Sequence, residues 1–316
     1  MSKRNKPSKD KRRQELIRTL PSLPSLPEWA LLLKSPADKI MAGSYKNVYI
    51  YGKTNIAISI EENIAEERLQ HRTKIYTMLE TLSDCNVNYP SQYIAIGKYF
   101  ISRLRYCPMG DLFDNMDDIT DMETYEDLFR TYYKLHEIGI YHIDVKPENL
   151  LVCNCGGKVI IAVADIEDAL LNTQENGIIA PLRVVRTRPY APYNAIQKGK
   201  KYGFSRDLLS YCDYYAVSFI MLIVYTWTIE GRSAESTNLV YDYQNSSIIP
   251  DDYLKLKTRA PESVNLAVKT FNTGTHFSSY IVRRMKYMYG EPQKPLKQRV
   301  KNFFRGMMGY AQKLKI

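Results

Sequence analysis

Apolar residues fall in two different rhythms along this chain. From about Ile40 to Ile60 they alternate with polar ones in short runs. Asn47-Val-Tyr-Ile-Tyr51 and Ile56-Ala-Ile-Ser-Ile60 flank Gly52-Lys-Thr-Asn55, which predicts a β-hairpin. Glu61 to Leu82 carries apolar residues at helical spacing (Leu69, Ile75, Met78, Leu79, Leu82) and predicts a helix. Tyr93 to Tyr106 reads as two more strands, and Asp121 to about Ile138 as a helix. A hairpin follows around Gly156-Gly157 with a strand over Val159–Ala164, and helices are expected from about Ser205 onward. A strand-rich front thus precedes a helix-rich back, with no internal repeat.

The longest apolar run, Ala216 to Ile229, is too short to span a bilayer and reads as a buried helix, so no transmembrane segment is expected. The start is basic and polar, without the apolar core of a secretion signal, so an intracellular, cytoplasmic or nuclear location is expected. The five cysteines show no framework spacing, and reduced thiols are the simplest reading. Cys153 and Cys155 would make half a metal site, but no second Cys/His pair accompanies them.

The formal charge of +10 is concentrated at the ends. Residues 1–18 hold eight Lys/Arg against two acids, and residues 283–316 hold ten against one, which leaves the body mildly acidic. Such ends suit nucleic acid, an anionic surface or acidic partners, and equally a solvated tail. Pro21, Pro24 and Pro27 mark a linker after the first tail. Phe303, Phe304, Met307, Met308 and Tyr310 give the last segment an amphipathic helical character.

Candidate chemistry centres on Tyr141-His-Ile-Asp144-Val-Lys146-Pro-Glu-Asn149-Leu-Leu151. Asp144 can orient and deprotonate a hydroxyl, Lys146 can neutralise a moving phosphate, and Asn149 can hold a metal ion. The segment resembles the catalytic loop of protein kinases, with Ile143 where the family usually has Arg. Sixteen residues after Asn149, the strand Ile160–Ala164 ends in Asp165-Ile166-Glu167. This resembles the family's metal-binding Asp-Phe-Gly, with Asp165 as a Mg²⁺ ligand and glutamate in place of glycine.

Other pieces are similar in order. Met41-Ala-Gly43-Ser-Tyr-Lys46-Asn-Val-Tyr49 resembles the glycine-rich loop over the nucleotide phosphates, keeping Gly43 alone. The family's Val-Ala-Ile-Lys strand appears as Ile56-Ala57-Ile58-Ser59, so its lysine is missing. Lys46, at the third loop glycine, is similar to the relocated lysine of the with-no-lysine kinases. The family's helix glutamate has no unique counterpart: Glu67 is one choice among Glu61, Glu62, Glu66 and Glu67, while the apolar pattern puts Arg72 at the usual place.

Ile101 to Phe113 resembles the segment joining the two lobes. The resemblance implies Leu104 as gatekeeper, backbone groups of Arg105 and Cys107 at the adenine edge, and Asp111 at the ribose. Thr187 to Pro192 resembles the end of the activation segment, with Tyr193 where the family has glutamate, and Asp213 the buried aspartate that holds the catalytic loop.

The resemblance implies an α+β, bilobal protein-kinase-like fold with a small β-rich N-lobe and a larger α-helical C-lobe. The boundaries read as 1–36 tail and linker, 37–107 N-lobe, 108–282 C-lobe and 283–316 basic, helical end. It implies transfer of the γ-phosphoryl group of ATP, with Mg²⁺, to Ser/Thr of a protein substrate, basic or nucleic-acid-associated. Ser59, Glu167, Met41 and Tyr193 keep a pseudokinase scaffold open as the alternative. A choline- or aminoglycoside-type kinase is disfavoured by Lys146 and the Thr187–Pro192 segment. The compact form with eroded motifs also looks like kinases of large DNA viruses.

Overall fold

The computed structural model describes residues 27–42, 46–82, 86–171, 190–230 and 262–272, with 283, 287 and 288. The basic tail, Gly43, Thr187 and the C-terminal aromatic run lie outside the described residues.

Helix α1 (Glu28–Leu31) precedes β1 (Lys39–Ala42), β2 (Lys46–Tyr51) and β3 (Ile56–Glu62). Helix α2 (Glu66–Leu79) leads into β4 (Gln92–Ile96) and β5 (Tyr99–Arg105). The five strands form one antiparallel sheet in the order β1-β2-β3-β5-β4. Alternation divides its faces. Tyr49, Tyr51, Ile58, Ile60, Tyr99 and Ile101 bury against Trp29, Ala30 and Leu33 around α1. The other face presents Ser59 and Glu61, and its Phe100 joins Ile75, Tyr76 and Leu79 of α2 in the main core.

Two expectations shift here. Residues 28–34, expected within the tail and linker, are folded onto the sheet through Trp29, Ala30 and Leu33, which are buried. The helix expected from Glu61 starts at Glu66 instead, because Glu61 is still paired in β3 with Lys46 and Phe100.

Downstream come α3 (Leu112–Asn115), α4 (Met122–Glu137), β6 (Ile140–Tyr141), the hairpin β7 (Leu150–Cys155) and β8 (Lys158–Val163), and β9 (Leu170–Leu171). Gly156 and Gly157 turn that hairpin at φ 61° and 86°, where a side chain would be strained. Asp121 caps α4 by accepting from the Glu123 N–H at 3.1 Å, so the expected start is a cap. Helices α5 (Tyr193–Tyr202), α6 (Arg206–Glu230) and α7 (Glu262–Asn272) complete the described chain.

At 25 residues α6 outruns the apolar stretch read from sequence. Its Arg206–Trp227 stretch is long and apolar enough to cross a membrane, but 94 % of its apolar window is buried inside the fold. It is a core helix, packed with α4 and α7. The architecture is mixed α and β, sheet first and helices later, compatible with the expected two-lobed arrangement.

Candidate phosphoryl-transfer site

The loop between β6 and β7 hangs from one buried carboxylate. Asp213, on α6 and wholly buried, accepts the His142 N–H at 2.9 Å and the Ile143 N–H at 2.7 Å. The His136 ring also reaches it, at 3.0 Å. These bonds hold Ile143 at φ 66°, a conformation that costs a β-branched residue on the order of 1–3 kcal/mol. His142 closes the loop onto the end of β8. Its Nε2 donates to the Ala164 carbonyl at 2.9 Å and its Nδ1 faces the Asp144 N–H at 3.3 Å.

The predicted loop residues come together. Lys146 Nζ is 3.1 Å from Asp144 Oδ2. The Asn149 amide donates to the Asp144 carbonyl at 2.9 Å, and the Asn149 carbonyl accepts the Ala164 N–H at 2.9 Å. Asp165 follows Ala164, with φ 56° and a half-exposed side chain.

Lys46 reaches this point from β2. Its partner across the strands is Glu61, and Ser59 lies opposite Val48. Lys46 and Ser59 are therefore diagonal neighbours on one face, about 7–8 Å apart at the backbone, within reach of a long side chain. The Lys46 ammonium lies 2.6 Å from Asp165 Oδ1 and 2.8 Å from Glu167 Oε1. Burial opposes the charge on Lys46, but Glu167 and then Asp165 overcome it and hold the ammonium above its usual range. Burial likewise raises Asp165, and the adjacent Lys46 charge reverses this, leaving the carboxyl below its ordinary value.

Glu167 was not expected as a partner of Lys46. Its second oxygen, Oε2, is buried without a hydrogen-bond partner. Glu67, the chosen helix partner, lies exposed in the first turn of α2. The charged contacts of α2 instead come from Arg68 and Arg72, which bind Glu61 and Asp168. The alignment of Arg72 with the usual glutamate was the sequence signal for this.

After β5, Asp111 caps α3 by accepting the Asp114 N–H at 3.1 Å. The Arg105 carbonyl accepts from Asn88 Nδ2 at 3.2 Å and the Cys107 carbonyl from the Gly110 N–H at 3.1 Å. Each oxygen keeps a second lone pair for a ligand. Contrary to the expectation of reduced thiols, Cys107 and Cys153 form a disulfide, with Cα atoms 4.8 Å apart. The pairing of Asp111 with Leu151 brings the two segments together, a proximity that 46 residues of separation hide in the sequence. A cavity of about 320 Å³ lies beside this link, lined by Ile56, Asn88, Leu104, Arg105, Cys153 and Ala162. Lys46, Asp144, Asn149 and Asp165 do not line it.

No protein-family model matches the chain. A probable serine/threonine-protein kinase of Saccharomyces cerevisiae is 26 % identical over 160 residues, which is 43 % of this chain and 42 % of that protein. Citron rho-interacting kinase of Rattus norvegicus is 26 % identical over 161 residues, 47 % of this chain and 7 % of that protein. A serine/threonine-protein kinase of Schizosaccharomyces pombe is 29 % identical over 79 residues, 21 % of this chain and 17 % of that protein. The chain is kinase-like. The likeness is distant, and the chain spans less than half the length of each of these relatives. They come from yeasts and a mammal, so the impression of a viral origin gains no support from them.

Proposed function

We propose that the chain transfers the γ-phosphoryl group of ATP, with Mg²⁺, to Ser/Thr hydroxyls of proteins. The observation that carries this reading is the Lys46 ammonium 2.6 Å from the Asp165 carboxylate. A cation beside the phosphates stabilises charge wherever its backbone is rooted, provided the ammonium arrives. Asp144 accepts the proton of the attacking hydroxyl, and Lys146 beside it stabilises the charge that develops on the transferred group.

The donors fit Mg²⁺. Asp165 and the Asn149 side chain offer hard oxygen atoms, which Mg²⁺ takes one or two at a time together with phosphates and water. Bound there, Mg²⁺ would neutralise phosphate charge. Arg105, Cys107, Asp111 and the loop around Gly43 are the proposed nucleotide contacts.

One observation favours the second reading, a pseudokinase scaffold. Glu167 already holds Lys46 at 2.8 Å, so its carboxylate competes with phosphate for the same cation. Transfer of labelled γ-phosphate to a basic protein substrate, comparing the wild type with Asp144→Asn, decides between them. Turnover lost in Asp144→Asn supports the enzyme. Nucleotide binding without turnover in either form supports the scaffold.

A further inference from the structure

Helix α2 grips the segment after Asp165 with positive charge. Arg68 Nε and Nη2 donate to the two oxygens of Asp168 at 3.1 and 2.7 Å, while its Nη1 reaches Glu61 at 3.0 Å. Arg72 Nη1 donates to the other Glu61 oxygen at 2.6 Å, and its Nη2 lies 3.8 Å from Asp168. His71, on the same helix, bonds the Ala169 carbonyl through Nε2 at 2.8 Å. Contacts from a single turn of α2 thus join β3, α2 and residues 168–169.

We propose that Arg68, Arg72, Glu61 and Asp168 form a charge-reversed clamp that positions the Asp165 carboxylate for the metal-nucleotide complex. The inference rests on the phosphoryl-transfer reading and extends it from contact residues to positioning residues. Glu61 and Arg72 are both buried, each 4 % exposed. A buried ion pair is seldom retained for stability alone, since apolar residues of similar size hold a core as well. Its use here is geometric. Asp165 sits in the left-handed region at φ 56° and is followed by Ile166 and Glu167, with no glycine to ease the turn. Lys46 holds this segment from one side through Asp165 and Glu167, and α2 holds it from the other through Asp168 and Ala169.

The charges require the clamp as well. Three cations (Lys46, Arg68 and Arg72) face four carboxylates (Glu61, Asp165, Glu167 and Asp168). Without the arginines, Glu61 and Asp168 would lose their cationic partners, and Lys46 would be the one cation left among the four carboxylates.

The test uses the partly exposed members: Arg68→Met, Asp168→Asn, and the charge-keeping Arg68→Lys. Amide hydrogen exchange over residues 165–171 and steady-state transfer are measured on the full chain. Loss of one charge-assisted pair raises exchange by about tenfold in Arg68→Met and in Asp168→Asn. It lowers kcat by about tenfold with KM for the protein substrate unchanged. Arg68→Lys, which keeps the positive charge facing both Glu61 and Asp168, retains part of both. Protection within about twofold of wild type in both Arg68→Met and Asp168→Asn overturns the clamp, as does faster exchange with an unchanged kcat. A wild type without turnover sinks the transfer reading instead, and exchange alone then decides whether the clamp exists.

Discussion

The loop between β6 and β7 and the sheet face opposite it hold their charged groups differently. In the loop, Asp144, Lys146 and Asn149 come together, and the loop is fixed through backbone bonds to Asp213, Ala164 and its own neighbours. On the sheet side the charges have moved. The cation comes from Lys46 on β2, the buried glutamate sits on β3 as Glu61, and α2 contributes arginines. A proton acceptor must meet one hydroxyl along one direction, so its place in the chain is constrained. A phosphate-facing charge must only arrive on the right face, and any strand neighbour with a long side chain can deliver it.

That contrast can be broken from the loop side first. Asp144→Asn should lower transfer by about 10³-fold, within the range for losing a positioned base, with nucleotide affinity changed little. Asp213→Ala should cost about 3 kcal/mol or more in denaturant unfolding, because two N–H groups lose a buried charged acceptor and Ile143 loses the support for its φ.

The sheet side should prove softer. Asp165 lies below its ordinary value of 3.8, so its tie to Lys46 stabilises the fold above that pH and is lost as pH falls through the lower folded value. Lys46 lies above its ordinary 10.5, so its share is complete below that pH and is lost only as pH rises through the higher folded value. The melting-temperature difference between wild type and Lys46→Met should therefore be flat across neutral pH and shrink at both extremes. Asp165 is half-exposed, so solvent screens the pair and the difference should be small.

Much of this was legible in the chain. Local rhythm located the β2–β3 hairpin, the body of α4, the β7–β8 turn and the onset of α6, where the Ser205 hydroxyl accepts the Leu208 N–H. The candidate site was legible wherever one loop carried it, from Asp144 to Asn149. What escaped depends on contacts between distant segments. The end of β3 is acidic, so Glu61 looked like the start of a helix until its pairing with Lys46 and Phe100 assigned it to the sheet. Trp29 and Leu33 follow three prolines and looked like linker, because their burial needs the far face of a sheet formed later in the chain. Cys107 with Cys153, and Lys46 with Glu167, meet only through the fold.

The central claim is that Lys46 supplies the charge that Ser59 does not. Its most direct test is MgATP affinity and γ-phosphate transfer in Lys46→Met, and in Lys46→Met with Ser59→Lys. Transfer should fall by about 10²-fold in the first and recover in part in the second, because the restored ammonium enters the same face from the next strand. Transfer and affinity unchanged in Lys46→Met would contradict the account.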